Sequence, residues 1–196
     1  MPRTERKPEK IALLLQGGGA LGSYQAGAYE ALAAAKLLPS WIAGISIGAV
    51  NGAIIAGNPP ELAATRLAEF WRIITESASP FPLFEEMVES AIHSTGTTNT
   101  LLFGAPGFFT PRTLSPFGSN TAPADLSYYD TRVLRSTLES VVDFDRINDR
   151  KHRTIRLSVG AVGIKTGNIV FFDNQRMRIG PEHIMASGAL PPGLPP

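Results

Sequence analysis

Gly44-Ile45-Ser46-Ile47-Gly48 sets a serine between two glycines at the spacing G-x-S-x-G, with an apolar run before it and an alanine- and isoleucine-rich run after it. A hydroxyl lifted off a strand end must sit on a very sharp turn, where the residues two before and two after pack against each other. A Cβ at either place would clash, so both are glycine. The serine backbone in such an elbow is strained, at a cost of about 1–3 kcal/mol. Its hydroxyl then stands at the positive end of the following helix, where developing negative charge is stabilised. The same five residues also admit a plainer reading, a strand-to-helix turn whose serine merely caps the helix.

A second candidate lies upstream. Gln16-Gly17-Gly18-Gly19-Ala20-Leu21-Gly22 follows one apolar run and opens a helical pattern. Gly17, Gly19 and Gly22 satisfy the dinucleotide fingerprint G-x-G-x-x-G. That use needs an acidic residue at the end of the next strand to hold the ribose hydroxyls. No Asp or Glu lies between Glu30 and Glu61, and the next strand ends in the serine elbow instead. The other use is an oxyanion hole, in which the unshielded N–H groups of Gly17, Gly18 and Gly19 face a developing alkoxide. One such donor is worth about 3–4 kcal/mol of transition-state stabilisation. A glycine loop after one strand and a serine elbow after the next share one sheet edge. A tight turn with no ligand remains the plain alternative for the loop taken alone.

Few other residues compete. The histidines, His93, His152 and His183, are dispersed, and there are no cysteines, so a catalytic metal has little support. A Ser-His pairing is conceivable for His183, although a surface or helix-cap role is the simpler expectation. Asp173 closes a strand and could be put forward as a base, but Asp173-Asn174 reads more simply as a turn. Asp143, Asp145 and Asp149 alternate with basic residues and read as a solvated loop.

The elements that must position these residues follow from the hydrophobic pattern. Ile11–Leu15 is a continuous apolar run, suited to a buried parallel strand. From about Gly22 the pattern turns helical, with Tyr24, Ala28, Leu32 and Ala35 on one face. Trp41–Ile45 is a second strand, and Ile47–Ala56 a helix stopped by Asn58-Pro59-Pro60. Glu61–Glu76 is a further helix packing Leu62, Leu67, Phe70, Trp71 and Ile74. Thr131–Val142 reads as a helix. Thr154–Val162 and Asn168–Phe172 read as strands of a hairpin turning at Lys165-Thr166-Gly167, and Pro181–Ser187 as a short helix begun at proline. This is an α/β domain with a mainly parallel sheet and an added hairpin. Residues 79–126 form an irregular insertion with one helix expected near Leu83–Ile92. It holds six of the ten phenylalanines: Phe81, Phe84, Phe103, Phe108, Phe109 and Phe117. They suit either an apolar lid over an acyl pocket or a satellite core.

Composition narrows the class. The 196 residues suffice for one domain with a core, and 43% apolar against 18% charged residues is globular. A net charge of +1 gives no electrostatic case for nucleic acid. The first ten residues read as a solvated tail. No stretch approaches the ~20 apolar residues of a membrane span. A cytoplasmic protein is expected, with any membrane contact peripheral.

LLLQGGGALGSYQAGAYEAL, GISIGAVNGA and HIMASGALPPGLPP, in this order, resemble the oxyanion block, the nucleophile elbow and the segment before the catalytic aspartate of the patatin-like phospholipases. The resemblance implies a three-layer α/β/α fold and a Ser-Asp dyad without cofactor or metal. By it, Ser46 attacks an ester carbonyl of a lipid or other acyl ester, and Gly17 to Gly19 hold the oxyanion. An aspartate takes the proton and later activates water on the acyl-enzyme. Two departures stand out. Leu21 occupies a place where many members carry a basic residue. The family's base sits in an Asp-Gly-Gly or Asp-Gly-Ala motif, and this sequence contains no Asp-Gly pair. The expectation is of a single patatin-like domain over 1–196, truncated ahead of that aspartate and impaired as an esterase. An inactive acyl- or lipid-binding remnant is the alternative, and a dinucleotide-binding protein a weaker one.

Overall fold

The structure, a computed structural model, describes residues 10–76, 105, 107–112, 127–151 and 153–195. All but Lys10 of the charged tail, the helix expected near 83–92, His93, His152, and Phe81, Phe84, Phe103 and Phe117 lie outside the described residues.

The elements follow the sequence pattern. Strand β1 spans Ala12–Leu15 and is followed by a single 3₁₀ turn, Gly19–Leu21, that runs into helix α1, Gly22–Ala34. Strand β2 (Trp41–Ile45), helix α2 (Ile47–Ala56) and helix α3 (Pro60–Glu76) come next. Two short strands, β3 (Thr110–Pro111) and β4 (Tyr129–Asp130), pair antiparallel. Helices α4 (Arg132–Val141) and α5 (Phe144–Asn148), strands β5 (Arg156–Val162) and β6 (Ile169–Asp173), and helix α6 (Pro181–Gly188) complete the order.

The main sheet runs β1-β2-β5-β6. The first three strands are parallel, with Leu15 opposite Gly44 and Ile45 opposite Gly160. Strand β6 returns antiparallel to β5, pairing Gly160 with Phe171 and Ser158 with Asp173. The carboxyl ends of β1, β2 and β5 therefore share one edge, where the glycine loop and the elbow emerge. Helix α2 lies across β1, β2 and β5, and all ten of its residues are buried. Its Gly52 faces Ile42, Leu157 and Leu15, which with Val159 are all buried. Helices α1, α3 and α4 pack against α2 as well. From the other face of the sheet Leu14, Ile45 and Phe171 project and are exposed. No helix among the described residues is long and apolar enough to cross a membrane.

Three local expectations change. The face of α1 expected to pack, at Tyr24 and Ala28, is exposed, and the buried stripe is Gly22 and Tyr29, with Ala26 and Ala33 against the core. Alanine on every side leaves α1 with almost no amphipathic signal. What fixes its face is the need for small residues at the crossing: a Cβ on Gly22 would lie 2.5 Å from Ile47 Cγ1 and 2.8 Å from Trp71 Cζ2. On α3, Leu62 is exposed and Ala63 is buried in its place. The run around Asp143 is no loop but the short helix α5. The Asp143 carboxylate caps it by accepting from Arg146 N at 2.9 Å. Within the insertion, Phe108 packs against the core and Phe109 against Tyr129.

The amino-terminal end of β5 holds a buried polar network. Asp173 accepts from Arg156 Nε at 2.8 Å, from Ser158 Oγ at 2.8 Å and from Gln175 N at 2.9 Å. The indole N–H of Trp41 donates to Ser158 Oγ at 2.9 Å, and the Arg156 guanidinium lies 4.4 Å from that ring's centroid. Burial works to raise the Asp173 pKa. The Arg156, Gln175 and Ser158 bonds outweigh it and hold the carboxyl below its usual value. A depressed folded-state pKa gives stability that is present above the unfolded value and is lost as pH falls through the folded one. Asp173→Asn should therefore cost about 2 kcal/mol in urea unfolding at neutral pH. The gap to the parent should close as pH is lowered through the folded-state value; a gap independent of pH would show that the charge contributes nothing.

Candidate active site

Ser46 joins the last residue of β2 to the first of α2, with φ 55° and ψ −125°. It is one of two non-glycine residues with positive φ among those described. Such a conformation costs about 1–3 kcal/mol and persists only where the surroundings enforce it. The enforcement is visible. A Cβ on Gly44 would meet the carbonyl oxygen of Gly48 and come within 2.8 Å of Ala49 Cα. A Cβ on Gly48 would meet not Gly44 but the carbonyl of Leu15, and would stand 2.7 Å from Gln16 O. The two elbow glycines thus have different reasons. Gly44 lets the helix fold back over its own strand, and Gly48 seats that helix on the neighbouring strand's end.

The capping alternative for Ser46 does not hold. Its carbonyl accepts from Ala49 N at 2.8 Å and Val50 N at 3.2 Å, but its side chain caps no helix N–H. The half-buried hydroxyl is left at the amino terminus of a ten-residue helix.

The glycine loop comes directly against it. A Cβ on Gly17 would lie 3.2 Å from Ser46 Cβ and 3.9 Å from Ser46 Oγ. Gly18 and Gly19 take φ of 151° and 55°, which only glycine adopts freely, while the space beside Gly19 is open. The N–H groups of Gly17 and Gly18 enter none of the hydrogen bonds found among the described residues. Ser46 and Gly17 are therefore brought together, with Gly18 and Gly19 in the same loop. Gly22 is spent on the α1–α2 crossing.

Two earlier candidates lie apart. Asp173 sits opposite Ser158, which pairs with Ala43, so it lies about 10 Å back along the strands from Ser46 and about 10 Å across them. His183 Nδ1 accepts from Gly180 N at 3.0 Å, and its ring packs on Phe172 with centroids 4.7 Å apart. It closes the first turn of α6.

One residue was missed from the sequence. Ser187, in the last turn of α6, accepts from Ser46 N at 2.8 Å and donates to Gly160 O at 2.5 Å. It is buried, and its hydroxyl bolts the elbow's amide to the end of β5. Its partners are 141 and 27 residues away in the chain, so no local spacing announces the role.

The model of the patatin-like phospholipase family matches residues 13–196. The chain belongs to that family. Membership accounts for the α/β/α type of fold with its mainly parallel sheet. Among solved structures, a chain in the complex of full-length SpcU with full-length ExoU from the type III secretion system of Pseudomonas aeruginosa is similar. It gives a TM-score of 0.45 at 20% identity, with 96% of this chain and 40% of that one covered. The type III effector protein ExoU gives 0.42 at 16% identity, covering 94% and 41%. The patatin-like chain thus spans about 40% of the length of these structures. No curated protein matches it.

The packing sets the cost of changing each glycine. Gly48→Ala should lower the unfolding free energy by about 3 kcal/mol or more, because the added carbon falls on backbone that cannot move aside. Gly27→Ala, where nothing lies within 4 Å in mid-helix, should raise it by about 0.5–1 kcal/mol. Ser187→Ala should cost about 1–3 kcal/mol by leaving the Ser46 N–H without its acceptor. Urea titrations of the three variants check all of this, and a neutral Gly48→Ala would contradict the seat described above.

Proposed function

We propose that this patatin-like chain carries the nucleophile and oxyanion hole of a serine acyl hydrolase acting on lipid or other acyl carboxylic esters. The observation that carries the proposal is the close approach of Gly17 to Ser46, where an added carbon would lie 3.2 Å from Ser46 Cβ. A carbonyl carbon attacked by Ser46 Oγ places its oxygen over the glycine loop, where free amides meet the developing charge. The Ser46 oxygen forms a bond to the acyl carbon, the alcohol departs with a proton, and water then cleaves the acyl-enzyme.

The Ser46 proton needs an acceptor. Asp173 is held by Arg156 and Ser158 away from the elbow, and His183 is spent on a helix cap. The base implied by the family resemblance is an aspartate in an Asp-Gly pair, which these 196 residues do not contain. The 196-residue chain therefore carries an assembled but poorly activated serine, with little steady turnover. Exposed Leu21, Tyr24, Ile164 and Leu190 fringe the strand-end edge and suit peripheral contact with a lipid surface.

A fluorophosphonate probe should label the purified chain at Ser46, and Ser46→Ala should abolish the adduct in intact-mass spectra. Turnover of a short-chain nitrophenyl ester should stay near background. A folded chain that never labels would favour an inactive acyl-binding remnant, and brisk turnover lost on Ser46→Ala would refute the impairment.

A further inference from the structure

Behind the glycine loop runs a chain of polar side chains that the chemistry above does not use. The Trp71 indole N–H, on α3, donates to Asn51 Oδ1 at 3.1 Å. Asn51 Nδ2, on α2, donates to Gly22 O at 2.9 Å and to Gln25 Oε1 at 3.0 Å. Gln25 Nε2, on α1, donates to Gln16 O at 2.8 Å. Asn51 is fully buried and Gln25 half-buried. Three helices thus cooperate to grip one backbone carbonyl.

The direction of every bond is fixed. An indole N–H only donates and a backbone carbonyl only accepts. Trp71 therefore obliges Asn51 to turn its oxygen toward the ring and its NH₂ toward Gly22 O and Gln25. Gln25 must then offer its oxygen to Asn51 and its NH₂ to Gln16. Read from either end, the amides take the same orientation.

The carbonyl so held belongs to the Gln16–Gly17 peptide. In a trans peptide the C=O and N–H point opposite ways, so holding one aims the other. Gly17 is the loop residue that comes up against Ser46, and its freedom about φ makes a flip of this peptide inexpensive. A flipped peptide would turn a carbonyl oxygen, not an N–H, toward the oxyanion. We infer that Gln25, oriented by Asn51 and Trp71, is a positioning residue that locks the Gln16–Gly17 peptide with its N–H toward the reacting centre. This rests on the serine acyl-transfer role proposed above.

Gln25→Glu tests it. The carboxylate keeps the shape and still accepts from Asn51, but has no proton for Gln16 O. The rate of fluorophosphonate labelling at Ser46 should fall about tenfold or more, since one oxyanion donor is worth about 10²–10³ in rate. Thermal unfolding should shift little. The ratio of variant to parent rates should recover as pH is lowered toward about 4.3, where glutamic acid regains a proton to donate. Gln25→Leu should be equally slow with no recovery. A purely structural role predicts a ratio flat in pH. Parent-like labelling by Gln25→Glu, or an equal loss in both variants at every pH, overturns the lock while leaving the serine role standing. A folded parent that never labels removes both. Should Gln25→Glu not fold, Trp71→Phe frees Asn51 to turn over and should slow labelling several-fold; an unchanged rate there counts equally against the lock.

Discussion

The first turn of α2 rests on the end of β1 with no side chain between them. Gly48 makes that possible, since any larger residue would drive a carbon into the Leu15 carbonyl. From this bare backbone contact the rest of the site follows. It places Ser46 at the same sheet edge as the loop leaving β1 and sets the distance at which Gly17 meets the serine. The positive φ of Ser46 is the strain that results. It is sustained by a helix buried at all ten positions and by the Ser187 hydroxyl on the serine's own amide.

A strained elbow survives only in a rigid frame, and the frame has two parts. The apolar part is the stack of α2 on Leu15, Ile42, Leu157 and Val159. The polar part is made of side chains that tie loops to helices at a distance: Ser187 across to Gly160, Asn51 across to Gly22, Asn174 to the carbonyls of Ile147 and Ile155. No described buried side-chain nitrogen or oxygen is left without a partner. Unpaired groups there would be costly. Geometry at the serine is thus secured by hydrogen bonds as well as by burial.

Much of this was legible in the sequence because the relevant constraints are local. Strand, glycine turn and helix leave a pattern within about ten residues, and β2 and α2 fall where the residues place them. The hairpin of β5 and β6 shows itself by two apolar runs and a glycine turn. Where packing is decided by partners far away, the pattern fails. Helix α1 carries alanine on all sides, so its inner face is chosen by the crossing with α2 and α3 and not by its own periodicity. Helix α5 is too short and too charged to register, and only the Asp143 cap reveals it. Ser187, Asn51 and Gln25 look like ordinary polar residues until the fold brings their partners to them.

The contact of Gly48 with Leu15 also bears on how the site comes apart. A pocket assembled from two independent loops can lose one wall while keeping the other. Here the serine turn and the amide loop meet at one joint, so parting it frees both. Warming or denaturant should leave the two halves intact together until the joint parts, and then scatter both at once.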